Sequence, residues 1–326
     1  EKTFNFRPPQ EPGYDVVECI HAMQEGKAKV FFAMGGNFLS ATPDTQYTAE
    51  ALRRCDLTVQ VSTKLNRSHL VHGKEAIILP CLGRTDRDMT GSTQQFVSVE
   101  NSMGVVHSSK GNLQPVSDDL LSEPAILCLL AKAVLGNDSG IEWDIYQQHY
   151  DHIRTDIERA IPGFDNYNQR VRDPGGFYFP NAARVGRFNT ESGKANFNLA
   201  EVPKLDLEPD EFIMMTIRSH DQFNTTIYGL NDRYRGILNE RRVILMNPFD
   251  ISRAGQSDGD VVDLFNYHDG VERGARRFII VAYDIPERCT ATYFPETNVL
   301  VPINSTADKS NTPTSKMVVI KVRGEL

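Results

Sequence analysis

The chain has 326 residues, 40% hydrophobic and 24% charged, enough for two domains that each bury a core. A formal charge of −8 and an isoelectric point near 5.5 argue against nucleic acid or an anionic membrane surface as partner, since both attract basic faces. No run approaches the roughly 18 to 20 apolar residues of a spanning helix, and the first ten residues lack a signal-peptide core, so no membrane span and a cytoplasmic location are expected.

The leading segment from Glu1 is polar, proline-bearing and does not begin with methionine, which reads as an internal cut with more polypeptide ahead. Asp15 then stands as an N-cap before Val16, Val17, Ile20 and Met23 at helical spacing. Lys29 to Met34 is an apolar run entering Gly35-Gly36-Asn37, a buried strand opening into a loop. A helix over Tyr47 to Arg54, a strand over Leu57 to Val61, a polar turn from Ser62 to Asn66 and an apolar strand over Ala76 to Leu79 follow. Strands separated by helices imply parallel pairing, and in open sheets of that kind the loops leaving the strand ends line the ligand crevice. That singles out Gly35 to Asn37 and Ser62 to Asn66.

From Gly83 to Asn112 the chain is polar and glycine-bearing, with one alternating stretch at Phe96, Val97 and Val99, which predicts a loop carrying a hairpin. Glu123-Pro124 opens an apolar helix over Ala125 to Leu135, and one helix is expected around Trp143 to Ile161. A glycine- and proline-rich connector follows to Pro209. Six short β-rich runs come last, Phe212–Ile217, Arg242–Met246, Val261–Phe265, Phe278–Tyr283, Thr290–Phe294 and Met317–Val322, and they predict a closed barrel. The expected division is 1–164, a connector at 165–209, and 210–326. Cys19, Cys55, Cys81, Cys128 and Cys289 are scattered without a C-x-x-C pair, so buried free thiols are expected rather than a local cluster or zinc site.

In Arg242-Val-Ile-Leu-Met-Asn-Pro-Phe-Asp-Ile-Ser-Arg-Ala-Gly-Gln-Ser-Asp-Gly-Asp260, Pro248 limits a strand, Asp250 can cap a short helix and Gly259 permits a tight turn. With Thr216-Ile-Arg-Ser-His-Asp-Gln-Phe-Asn-Thr225, Ala33-Met-Gly-Gly-Asn37 and Val59-Gln-Val-Ser-Thr-Lys-Leu-Asn66, it resembles the molybdopterin oxidoreductases, specifically the formate dehydrogenase-like FdhF/YdeP type. The resemblance covers essentially the whole chain. It implies a Rossmann-like parallel-sheet α/β domain followed by a double-psi β-barrel, the molybdopterin dinucleotide-binding domain.

By this resemblance Asn37, Ser62, Thr63 and Asn66 would read polar edges of the cofactor from the first half. Thr216, Arg218, Ser219, His220, Gln222, Asn224 and Thr225 would grip it from the loop after the first barrel strand, with Phe294, Asn298 and Lys316 as final contacts. A polar decapeptide alone reads more readily as a solvated turn, and only the surrounding motifs favour a cofactor loop. Glu123 fits either an acidic cofactor contact or a first-turn carboxylate favoured by the helix dipole.

The implied cofactor is molybdenum bis(molybdopterin guanine dinucleotide), supporting two-electron chemistry, with a 4Fe-4S cluster and the metal ligand in an N-terminal remainder of the same polypeptide. A small-molecule substrate and an electron-transfer partner are implied as well. No catalytic residue is assigned within the chain. His220 reads as a cofactor hydrogen bond ahead of a proton relay, and His69 with His72 as a loop pair without the acidic or Cys companions of a metal site. The alternative is a carrier or scaffold that keeps the barrel without redox turnover.

Overall fold

Asp15 starts the first helix as its sequence position predicts, its carboxylate accepting from the Glu18 amide at 2.9 Å while the Glu18 side chain accepts from the Asp15 amide at 3.1 Å. A computed structural model describes residues 2–136, 139–202, 206–225 and 227–324. The first stretch runs α1 (Val16–Gln24), β1 (Val30–Met34), α2 (Phe38–Ala41), α3 (Thr45–Arg53), β2 (Leu57–Ser62) and β3 (Glu75–Pro80). β1 pairs with β2 in parallel, from Val30 opposite Leu57 to Met34 opposite Val61, in a sheet ordered β1-β2-β3. Val17, Ile20 and Met23 of α1 pack with Leu39, Ala51, Leu52 and Cys55. The expected burial of β1 fails at Val30, which is 60% exposed, and the apolar Ile77 and Ile78 are each 45% exposed in β3, the last strand of the sheet.

The middle stretch carries β4 (Met89–Thr90), β5 (Thr93–Gln94), β6 (Val97–Glu100), β7 (Val105–Ser109), α4 (Glu123–Leu135), α5 (Trp143–Gln148), α6 (Asp151–Ala160), α7 (Tyr167–Arg170) and β8 (Phe177–Tyr178). The predicted hairpin is β6-β7, and β8 extends it into three antiparallel strands. The single helix expected from Trp143 to Ile161 is two. His149 turns extended at the end of α5, and the chain restarts after Tyr150, whose ring is 3% exposed. Part of the expected connector is folded structure: Tyr167, Val171 and Phe177 pack with Val106 and Phe164.

The last stretch holds β9 (Glu211–Ile217), β10 (Val243–Met246), α8 (Pro248–Arg253), β11 (Val261–Asn266), β12 (Arg273–Ala282), β13 (Cys289–Tyr293) and β14 (Val318–Gly324). These strands form a closed barrel in the order β10-β12-β11-β14-β9-β13. β10 with β12 and β9 with β13 are parallel, and the other neighbours are antiparallel. Alternate side chains fill the interior, among them Met214, Ile244, Met246, Leu264, Phe278 and Ile280. The cap of α8 is Asn247, accepting from the Phe249 amide at 2.9 Å, and not Asp250; Asp250 lies inside the helix, where it accepts from the Arg288 amide at 2.5 Å. Gly259 has φ 92°, the positive value its turn requires.

Two compact units result, Gly13–Leu79 with Lys204–Leu326, and Glu1–Pro12 with Pro80–Pro203. They follow other boundaries than a division at 164 and 209. The physical reason is that the first stretch is bonded to the barrel: Ile303 buries in the cluster of α1 and α3, and Arg273 meets Asp44 with Nη2 at 2.7 Å from Oδ2. Asn298 also donates to the carbonyls of Ser40 at 2.9 Å and Ala41 at 3.0 Å. No helix of the described residues is long and apolar enough to cross a membrane.

Candidate functional site

The loops leaving β1 and β2 are tied to one another before any ligand is considered. Gly35 and Gly36 take φ of 67° and 74°, which lets the Gly35 amide turn back to the Val61 carbonyl at 2.8 Å. Asn66 donates to the Gly36 carbonyl at 2.8 Å and accepts from the Ser68 amide at 2.9 Å, while Asn37 accepts from the Ser68 hydroxyl at 3.0 Å. The Asn66 amide and the Asn37 amide oxygen are thus spent on loop geometry. Ser62 is buried as the last residue of β2, one position later than the strand was predicted to end, and Thr63 next to it is exposed.

The loop after β9 is organised by a residue that the sequence did not single out. Arg241 is 4% exposed and sits just before β10. Its guanidinium donates to Glu296 Oε1 at 2.6 Å, Ser219 Oγ at 2.8 Å, the Phe294 carbonyl at 2.8 Å and Gln222 Oε1 at 3.1 Å. Gln222 in turn accepts from the Ser219 amide at 3.0 Å and donates to the Asn224 and Phe294 carbonyls, each at 2.8 Å. Ser219 and Gln222 therefore hold the loop's shape, and so fix what its exposed members present.

Those members are cationic and polar. Arg218 is exposed, bonds Asn224 Oδ1 at 2.9 Å, and lies 5.8 Å from the Phe294 ring centre. Lys316 donates to the carbonyl of buried Thr216; burial, and then the nearby Arg218 charge, hold its amine below the usual lysine value. Two positive groups this close favour an anion between or above them. His220 stacks on Tyr234 with ring centres 4.1 Å apart and faces Asp232 Oδ1 at 3.3 Å. Asp232 is 1% exposed and also receives Arg235 at 2.5 Å and the Tyr293 hydroxyl at 2.9 Å.

The two sets of loops share a cleft of about 1030 Å³ within one compact unit. Asn37, Ser40, Asn66 and Arg67 line it from the open sheet, Arg53 from α3, and Thr225, Arg242, Arg276 and Glu296 from the barrel side. Four arginines face two glutamates, Glu50 and Glu296, and neither Arg53 nor Arg67 is ion-paired to a described carboxylate. The Ser40 hydroxyl is buried there without a hydrogen-bond partner among the described residues. Of the residues singled out by sequence, Asn37, Asn66 and Thr225 line this cleft, whereas Arg218, His220 and Asn224 belong to the loop after β9, Lys316 stands just before β14, and Asn298 is used internally. Glu123 belongs to the other unit, exposed in the first turn of α4 behind the Ser122 cap, the position where the helix dipole favours a carboxylate. No group of three His, Cys, Asp or Glu among the described residues is arranged to hold a metal ion.

Residues 212–322, which contain all six barrel strands but for their outermost residues, match the family described as the molydopterin dinucleotide binding domain. An uncharacterized oxidoreductase of Mycobacterium tuberculosis is 50% identical over 328 residues, covering 99% of this chain and 42% of the relative. The protein YdeP of Escherichia coli is 40% identical over 326 residues, covering 98% of this chain and 43% of YdeP. The chain thus spans less than half the length of these relatives. Acetylene hydratase from Pelobacter acetylenicus shares the fold with a TM-score of 0.59 at 14% identity, over 95% of this chain and 46% of that one. Taken with the barrel, these similarities place a molydopterin dinucleotide-binding domain at residues 212–322, in a chain similar to part of a longer protein named as an oxidoreductase.

Proposed function

We propose that the chain is the C-terminal cofactor-binding portion of a molybdenum bis(molybdopterin guanine dinucleotide) oxidoreductase of the formate dehydrogenase-like type, acting in the cytoplasm. The observation that carries this reading is the arginine-rich cleft built jointly by the open-sheet loops and the barrel. The residues present fit a long, phosphate-bridged ligand. The cleft's roughly 1030 Å³ exceeds what a mononucleotide-sized molecule requires. Its unpaired Arg53 and Arg67 suit phosphate oxygens, and the orphaned Ser40 hydroxyl lacks the partner that a ligand would supply.

In this reading Arg53 and Arg67 hold the pyrophosphate, Asn37, Ser40 and Thr225 meet its polar edges, and the Arg218–Lys316 pair offsets negative charge at the neighbouring loop. Arg241 keeps that loop in its binding shape. When bound, the group supplies two-electron redox chemistry at molybdenum; the part of this chain is to bind it, orient it and exclude water. The metal ligand and a 4Fe-4S cluster then lie in the rest of the longer polypeptide, which also shapes the pocket for formate or a related small substrate.

The test is purification of the longer polypeptide followed by metal analysis and acid release of the nucleotide. Near-stoichiometric molybdenum with two guanine nucleotides per metal is expected. Protein that folds, yet carries neither molybdenum nor a pterin nucleotide when expressed in cells that make the cofactor, overturns the reading.

A further inference from the structure

Helix α4 is apolar nearly all round, Glu123-Pro-Ala-Ile-Leu-Cys-Leu-Leu-Ala-Lys-Ala-Val-Leu135, a pattern that belongs to a helix covered on every side. Only part of it is covered. Ala125, Ile126 and Cys128 are buried, whereas Leu127 is 46% exposed, Leu130 40% and Val134 71%. Those three stand at i, i+3 and i+7, so with Ala131 they form one stripe along the helix. Of the two charged residues of the helix, Lys132 lies off the stripe and is held by Asp144 of α5 at 2.7 Å, and Glu123 stands in the first turn, one turn before Leu127. Beyond that first turn the outward face is uncharged from Leu127 to Val134, and such faces are rarely left in water.

We infer that the Leu127–Leu130–Val134 stripe is the docking face for a segment of the longer polypeptide that this chain does not span. Two observations choose that occupant over a second copy. Over 99% of its length the chain aligns at 50% identity with a protein of which it is only 42%, so more than half of a comparable polypeptide remains to be placed. The apolar surface, widened by the exposed Leu129 and Leu135, also belongs to one helix of 13 residues, about 20 Å long, far short of the roughly 800 Å² per partner of a free dimer. A tethered segment needs no such area, because it is presented at an effective concentration of about millimolar or more. The inference rests on the chain belonging to a longer protein and needs no bound cofactor.

The experiment places a single thiol on the stripe, Val134→Cys or Leu127→Cys, in the longer polypeptide and in the 326-residue chain, and follows maleimide labelling of that site by peptide mass. Cys128 on the same helix is buried, with its thiol pushed above the usual value by burial, and gives the slow reference. In the native longer polypeptide the introduced thiol is expected to label at least tenfold more slowly than in the 326-residue chain or in denaturant. Equal rates in the two native proteins overturn the inference. So does protection of the 326-residue chain that disappears on dilution, which assigns the stripe to a second copy. If the 326-residue chain proves unfolded, the native and denatured rates of the longer polypeptide decide, and a difference under threefold overturns it.

Discussion

Arg241 reaches Glu296 with Nε 2.6 Å from the carboxylate while remaining 4% exposed, and the same guanidinium carries Ser219, Gln222 and the Phe294 carbonyl. Removing it strands several acceptors at once. Arg241→Met is expected to lower unfolding stability by about 3 kcal/mol, the scale for breaking a buried pair from one side. Glu296→Gln keeps shape and one acceptor and should cost about 1 kcal/mol. Urea midpoints measure both, and an Arg241→Met midpoint equal to wild type would remove its organising role.

The second buried pair joins the first stretch to the barrel. Asp44 and Arg273 side chains are 7% and 6% exposed, and the guanidinium also donates to the His268 carbonyl at 3.2 Å. Asp44→Ala leaves a buried cation and is expected to cost about 3 kcal/mol. Adding Arg273→Met should recover part of that loss, so the double variant falls short of the sum of the singles. Strict additivity in thermal or urea unfolding would mean that the two groups do not interact.

How far the sequence reached follows from these residues. The six barrel strands were legible because each is a short run rich in β-branched and apolar residues, as in Val243-Ile-Leu-Met246, and the Asp15 cap because a carboxylate three residues before Glu18 has one common use. Strand order was not, since the β9–β13 and β10–β12 pairings depend on long crossovers with no local signature. Asn37, Asn66 and Asn298 were read as ligand contacts through the resemblance, but an amide that can meet a cofactor can equally meet a protein group, and folding supplied the Ser68 hydroxyl to Asn37 and the carbonyls of Gly36, Ser40 and Ala41 to the other two. Arg241 was hidden in Glu240-Arg241-Arg242, where nothing local separates the buried arginine from its exposed neighbour. Arg53 and Arg67 were missed because they sit on a helix and a short turn beside the loops rather than within them.

Asp232 sets a pH limit on the loop. Burial alone would raise its carboxyl, but the bonds from Arg235 and Tyr293 outweigh that and hold it below the usual value. A depressed folded-state value contributes stability that is fully present above the unfolded carboxyl value of about 4 and is lost as pH falls through the folded value. Stability should therefore drop as the pH falls below about 4 more steeply in the wild type than in Asp232→Asn. Parallel stability profiles for the two proteins over that window would show that the carboxylate carries no such linkage.

Arg53 and Arg67 make the sharpest claim about the cleft, because they face it without a described carboxylate partner and their loss should leave the fold intact. A charge-assisted hydrogen bond contributes about 1.5 to 3 kcal/mol, roughly tenfold to a hundredfold in affinity. Arg53→Ala combined with Arg67→Ala in the longer polypeptide should thus lower retained guanine nucleotide by at least about tenfold after dialysis, with unchanged thermal unfolding of the cofactor-free protein. Raising salt should strip the wild type toward the variant, since the lost interaction is electrostatic and screened. Arg54 is the internal control: next to Arg53 in sequence, it is absent from the cleft lining and donates to the Gln24 carbonyl at 2.6 Å. If Arg54→Ala loses as much nucleotide as the double variant, the loss is a general effect of charge and the cleft is not the phosphate site.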